Sequence, residues 1–241
     1  MNLIGHLRIR GTRGFPRGII GAVVEFSVDS EVFHEWSCSR GNWIMSVAVT
    51  HYTPEDLLAM PDGKRYELVA GQLVERKMGL ESSWVGGRLH SRLDRFCEEN
   101  SLGWVLPADD GYQCFPHDPG LVRRPDVSFI RYGRLSGEAL PTGWGKIPPD
   151  LAVEVVSPND SADQLEEKLD DYQKVGVPLV WVVNVKSRTV MVYRGDGSVS
   201  RLHENDELSG EDVISGFRYP VRDFFPGRKP APSPITPNGS Q

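Results

Sequence analysis

The run LAVEVV at residues 151–156 carries a carboxylate, Glu154, in the middle of an otherwise apolar stretch. An ionised acid among apolar neighbours is costly unless a cation or a metal compensates it. Two more acids stand beside core-type residues in strand-like segments: Asp126, which follows Arg123-Arg124-Pro125 and opens DVSFIR, and Glu67 in YELV. Three carboxylates brought together from neighbouring strands make an all-oxygen cage of the kind that suits Mg²⁺ or Mn²⁺. The segment after Glu154 supplies a cation. Ser161 and Gln164 have capping-box spacing and open a helix, on which Leu165, Leu169 and Tyr172 form one apolar stripe. At about 100° per residue Lys168 falls about 60° from Leu165, so its stem can lie on the stripe while its ammonium turns toward the carboxylates. Gln164 shares that flank one turn earlier.

Each of these residues also has a plainer reading. Glu154 could belong to a buried structural ion pair, Asp126 could be a turn residue that starts a strand after Pro125, and Glu67 could face solvent from a hairpin. Lys168 could pair along its own helix with Asp171 or Gln164. Tyr172 is either core or a hydroxyl lining the site. Arg88, Arg92 and Arg95 read as a solvated helix face, with Arg92 or Arg95 paired to Glu98 or Glu99. The six His show no metal-ligand spacing, and Cys38, Cys97 and Cys114 include no CxxC pair, which points to reduced thiols rather than zinc or disulfides.

The elements that must position the acids follow from local signals. Thr53 is an N-cap with Pro54 at the first helical position and Glu55 and Asp56 in the first turn, giving a short helix that stops near Pro61-Asp62-Gly63. YELV and QLVE flank Ala70-Gly71 and read as a hairpin. Val85, Leu89, Leu93 and Phe96 recur at helical spacing within residues 82–99. Strands are expected at 104–106, 112–115, 126–131, 151–156, 179–185 and 189–194, with a helix over 162–174. The runs 151–156 and 179–185 are apolar nearly throughout and flank that helix, so they are expected to lie parallel at the buried centre of a mixed sheet. The order of elements predicts an α/β or α+β domain.

The chain has 241 residues and a formal net charge of −6. The first fifty residues contribute +1 and the rest −7. An acidic balance excludes a basic protein that coats nucleic acid, but not an enzyme that holds cations with carboxylates. The longest apolar runs, at 19–24 and 179–183, fall short of the roughly 18 residues a membrane-spanning helix needs. A soluble, cytoplasmic protein is the expectation. Residues 1–50 show no sustained period of 2 or 3.6 and are expected to be a poorly ordered extension. Met45 is a candidate start of translation, since a well-formed helix begins within ten residues of it. The folded domain is expected over 51–226, followed by a disordered Pro/Ser-rich tail at 227–241.

Taken together, KRYELVAGQLVE, RRPDVSFI, LAVEVVSP and EEKLDDYQKVGVPLVWVV resemble, in that order, the Uma ("Uma two") family of restriction-type endonucleases in the PD-(D/E)XK nuclease superfamily. The resemblance spans about residues 52–225. It implies a restriction-endonuclease core, a mixed and mostly four-stranded sheet flanked by helices. It places Asp126 at the PD aspartate, Glu154 at the (D/E) position and Glu67 as a helper acid. The superfamily's lysine stands two residues after the acid, where this chain has Val156; the family reading moves that lysine to the next helix, at Lys168. The implied activity is Mg²⁺- or Mn²⁺-dependent hydrolysis of phosphodiester bonds in DNA, with Asp126, Glu154 and Glu67 as metal ligands and Lys168 orienting the attacking water. Arg123, Arg124, Lys64 and Arg65 are candidates for backbone phosphate contacts. The alternative is a catalytically inactive module that keeps the fold and binds nucleic acid or a protein partner. A homodimer through the apolar strand 189–193 is a further expectation.

Overall fold

The computed structural model describes residues 50–77, 79–157 and 160–227, and of residues 1–49 the backbone of four strands only. Those four are β1 (Leu7–Ile9), β2 (Val24–Phe26), β3 (Val32–Ser39) and β4 (Asn42–Val49). They form two antiparallel ladders, β1 with β2 and β3 with β4, separate from the central sheet. The stretch expected to be a poorly ordered extension thus contains paired strands. Residues 228–241, nearly all of the expected tail, lie outside the described residues.

Thr53 caps α1 (Pro54–Ala59) as its side chain dictates. Its hydroxyl accepts from the Asp56 amide at 3.2 Å, and the Asp56 carboxylate accepts from the Thr53 amide at 2.8 Å. The hairpin of β5 (Tyr66–Val69) and β6 (Gln72–Glu75) turns through Ala70 and Gly71, both at positive φ, the two-residue geometry that matches the right-handed twist of paired strands. Gly71 lies at φ 74°, where glycine is favoured, and a Cβ there would stand 2.4 Å from His51 Nδ1. Then come α2 (Leu80–Glu99), β7 (Gly103–Pro107), β8 (Val127–Arg131), β9 (Leu151–Val156), α3 (Ala162–Lys174), β10 (Leu179–Asn184), β11 (Thr189–Arg194), β12 (Val199–Leu202), β13 (Glu207–Ser209) and β14 (Arg218–Pro220).

The central sheet has six strands in the order β12-β11-β10-β9-β8-β7, rather than the four the resemblance implied. Only β9 and β10 run parallel, joined by α3 as expected; the other neighbours are antiparallel. Successive side chains of a strand point to opposite faces. On one face Val127, Phe129, Leu151, Val153, Val155 and Trp181 bury against Val85, Leu89 and Leu93 of α2. On the other, Ile130, Ala152 and Val180 meet Tyr172 of α3. Glu154 lies on the face of Ala152, toward α3, which explains an acid in the middle of an apolar strand.

Three expectations change. Residues 112–115 are not a strand: Tyr112 makes single bridges to Arg123 and Gly145, and Pro116, which has no amide to donate, sits in the turn closed by the Asp118 amide on the Phe115 carbonyl. Ser161 stands at the N-cap of α3 without a side-chain cap bond. And β11, expected as a dimer contact, has a neighbour on each side and offers no free edge to a second copy; β12 is the edge there. Among the described residues no helix is long and apolar enough to cross a membrane.

Candidate active site

Three pieces of backbone converge on one cleft of about 110 Å³. The first is the pair β8 and β9. Val127 pairs with Val153, so one step further Asp126 comes opposite Glu154, at a cross-strand spacing of about 5 Å between such neighbours. The Asp126 amide donates to the Val153 carbonyl, and Asp126 Oδ2 accepts from the Val155 amide at 2.7 Å. The second is the β5–β6 hairpin. Leu68 and Val122 exchange both of their backbone hydrogen bonds, which sets Glu67 against Arg123 and Arg124. The third is α3, whose Lys168 and Tyr172, one turn apart, point down at Glu154.

The bonds form one chain of charges. Lys168 Nζ lies 2.9 Å from Glu67 Oε1 and 3.0 Å from Glu154 Oε2, and the Tyr172 hydroxyl donates to Glu154 Oε1 at 2.7 Å. The position at the edge of the helical stripe therefore brings Lys168 to two carboxylates on strands, not to Asp171 or Gln164. Glu67 also accepts from the Arg124 amide at 2.9 Å and from Arg123 Nη1 at 3.2 Å. Arg123 turns its Nε and Nη2 to Asp171 Oδ2 at 2.9 and 2.7 Å, and His117 Nε2 meets the other Asp171 oxygen at 3.1 Å. Asp126 Oδ1 takes Arg76 Nη2 at 2.8 Å, while Arg76 Nη1 donates to the Ala108 carbonyl.

Burial and like charge set the electrostatics. Burial pushes the Glu154 carboxyl up to about 7; Lys168 opposes the shift, and Asp126 and Glu67 add to it. Asp126 is raised by burial against the pull of Arg76 and Lys168. Glu67 is equally buried yet sits below the ordinary carboxylate range, because Lys168 and Arg123 outweigh the burial. Lys168 is held above the ordinary lysine value: burial works against its charge, but Glu154, Glu67 and Asp126 together prevail.

The structure brings Glu67, Asp126, Glu154 and Lys168 to one place, and each can be tested for a cation. Both Glu67 oxygens face cationic or N–H donors. Among the described residues no group of three or more His, Cys, Asp and Glu side chains is arranged to hold an ion, so the three-acid cage is not formed. Asp126 and Glu154 remain, and each of their oxygens accepts one donor and keeps a second lone pair. Mg²⁺ is commonly held by one or two carboxylates with water and substrate phosphate completing its shell; this pair of hard oxygen donors on adjacent strands fits it.

Arg123 and Arg124, expected on backbone phosphates, are buried instead. Arg123 serves the carboxylates, and Arg124 donates to the Tyr66 and Asp109 carbonyls and lies over the Trp144 ring. Lys64 and Arg65 are exposed and paired with Asp109 and Glu75. Sequence reasoning did not single out Arg76, Asp171 or His117. A signal for Arg76 was present: Glu67 pairs with Val74 across the hairpin, and two residues on, at period 2, Arg76 shares their face. Asp171 and His117 are 54 positions apart, and no local pattern joins them.

A family model described as "Putative restriction endonuclease", Uma2, matches residues 54–222. Among solved structures the chain is similar to one described as a "putative nuclease belonging to DUF820" from Anabaena variabilis, with a TM-score of 0.61 at 18% identity, covering 72% of this chain and 97% of that one. That likeness shows the fold. No curated protein gives a significant match.

Proposed function

The chain belongs to the Uma2 family, and from that premise we propose that it is a divalent-metal-dependent endonuclease that hydrolyses phosphodiester bonds of DNA. The observation that carries the reading is Asp126 and Glu154 facing one another across adjacent strands, with Lys168 Nζ 3.0 Å from Glu154. Lys168 is shared by two buried acids, Glu67 and Glu154, with Asp126 on the strand next to Glu154, and the cleft beside them admits water.

Asp126 and Glu154 are the residues that would hold Mg²⁺ or Mn²⁺. The chemistry such an ion supplies when bound is Lewis acidity, a more acidic water and relief of the charge that builds on phosphate. Lys168 points its ammonium into the same cleft, where it can orient the attacking water and stabilise the transition state. Glu67, itself fixed by Arg123 and the Arg124 amide, keeps Lys168 charged and aimed. Tyr172 fixes one oxygen of Glu154, leaving the other toward Lys168 and the cleft. Arg76 neutralises Asp126 and can swing to the incoming phosphate, since its other anchor is a single carbonyl. Cys97 and Cys114 are free thiols, which suits the reducing cytoplasm we assign to the protein.

Purified protein is expected to cut plasmid or single-stranded DNA with Mg²⁺ or Mn²⁺. Asp126→Ala and Glu154→Ala should abolish cutting and leave the far-ultraviolet circular dichroism unchanged. No cleavage above the Asp126→Ala control, across several DNA forms and both metals, sinks the proposal. The pairing of Glu67, Asp126 and Glu154 with Lys168, Arg76 or Arg123 favours one second reading, an inactive module that keeps the fold and binds nucleic acid or a protein partner. Calorimetric titration separates the two, because an active pair of carboxylates takes up Mn²⁺ and an inactive one does not.

A further inference from the structure

Helix α2 carries a second feature that the cleft chemistry leaves unused. Trp84, Arg88 and Arg92 follow one another at intervals of four, a row with about 6 Å between successive members. Trp84 is 44% exposed. The Arg88 guanidinium lies over the Trp84 ring at 5.2 Å, and that of Arg92 over the Tyr219 ring at 5.4 Å. Among the described residues neither arginine has an acidic partner, and the Nε of each is shielded from water without a hydrogen bond. This differs from Arg95, one turn on, which pairs with Glu99 at 2.8 Å. Two cations are thus held in place by rings rather than by acids, so their charge is not cancelled locally.

The adjacent row is small. Ser83, Gly87 and Ser91 are exposed, and nothing lies within 4 Å of where a Cβ on Gly87 would stand, so a bulky polymer can approach the helix axis beside the arginines. The helix is tied to the cleft at its start, because Lys77, three residues before the helix begins, lines the cleft.

We infer that the Trp84–Arg88–Arg92 row binds a single-stranded segment of nucleic acid, one unpaired base stacking on the free face of Trp84 and phosphates lying on Arg88 and Arg92. Aromatic rings beside fixed cations are how sequence-tolerant single-strand binding is built, because every base offers a π-face and every nucleotide a phosphate. A second copy of the chain is a poorer occupant: a two-fold contact sets like surfaces against each other, and no acid in this row would receive Arg88 or Arg92. The inference rests on the nuclease proposal and deepens it by naming the strand form that the enzyme holds on α2, the helix that follows the cleft residue Lys77.

The test is fluorescence anisotropy of a labelled 20-nucleotide strand, and of its duplex, against the full chain in EDTA at several salt concentrations. The single strand should bind more tightly than the duplex. Trp84→Ala should weaken single-strand binding by about 5- to 150-fold, the range of one base–aromatic stack, and Trp84→Phe should restore most of it. Replacing both Arg88 and Arg92 by Gln should flatten the dependence of log affinity on log salt by about 1.4, at about 0.7 per phosphate on a single strand. Trp84→Ala and the double-Gln variant binding as wild type does overturns the inference, as does a wild-type chain that binds no strand. So does light scattering that finds a wild-type dimer and monomeric variants, which makes the row a self-contact. Cleavage by wild type with unaltered binding by the variants overturns only this inference; single-strand binding through Trp84 by a chain that never cleaves overturns only the nuclease proposal.

Discussion

Removing Arg123 tests whether the charge network holds the candidate site together. Its guanidinium is buried and donates through Nε and Nη2 to Asp171 and through Nη1 to Glu67. In Arg123→Met these two buried acids lose a shared cation. Breaking a buried pair from one side costs about 3–5 kcal/mol, because a charge is left without compensation. Glu67 keeps Lys168 and the Arg124 amide, and Asp171 keeps His117, so the loss should fall at the low end, about 3 kcal/mol. For a folded region of this size that lowers Tm by about 6–12 °C. Arg123→Lys should recover less than half of the loss, since a single ammonium cannot replace a planar fork that spans two carboxylates. Pairing Arg123→Met with Asp171→Leu should recover most of it, because an apolar pair needs no compensation. The assay is reversible urea and thermal melting followed by circular dichroism. Arg218→Ala, which removes an exposed pair with Glu207, is the control and should leave Tm within about 2 °C. A loss under about 1 kcal/mol, full rescue by lysine, or simple additivity in the double variant refutes the reasoning.

Other outcomes follow from single contacts. Tyr172→Phe deletes the donor to Glu154 Oε1 and should lower kcat by about tenfold or more with KM little changed; an unchanged kcat shows that the hydroxyl does not position Glu154. Burial pushes the Cys97 and Cys114 thiols up to about 12. A raised thiol pKa means the reactive thiolate is scarce at pH 8 and grows only as pH rises toward that value, so native alkylation by iodoacetamide should be slow for both and become fast in urea. Rapid labelling of either in the folded state at pH 8 contradicts this. Gly87→Ala, in open space on α2, should raise stability by about 0.5–1 kcal/mol through helix propensity, read as a higher urea midpoint; a lower midpoint shows that the position needs glycine.

Much of the fold was legible because the signals are local. Pro54 and Thr53 set the start of α1, Ala70-Gly71 set the hairpin, and the apolar residues of α2 gave its buried face. The runs 151–156 and 179–185 are apolar nearly throughout because both faces of the sheet are covered, which announces a central parallel pair. Strands β12, β13 and β14 went unread, since they are short and half-exposed and carry too few apolar residues to show a period. The strand expected at 112–115 failed for the opposite reason: its composition suits a strand, but Pro116 and the following turn leave no ladder for it to join. In the site, the oddness of Glu154 and the helical angle of Lys168 were visible because each is a property of one element.

What the sequence determined alone was therefore the identity of the acids, the lysine and the elements that carry them, since propensity, capping and periodicity act over a few residues. Only the tertiary structure decided the partners. It gave Glu67 to Lys168 and Arg123, turned Arg123 and Arg124 inward, and placed Arg76 on Asp126. The physical reason is that compensating a buried charge is a matter of distance in space. Residues 50 to 101 positions apart meet only after the hairpin, the sheet and α3 have packed, and the packing assigns each carboxylate its cation.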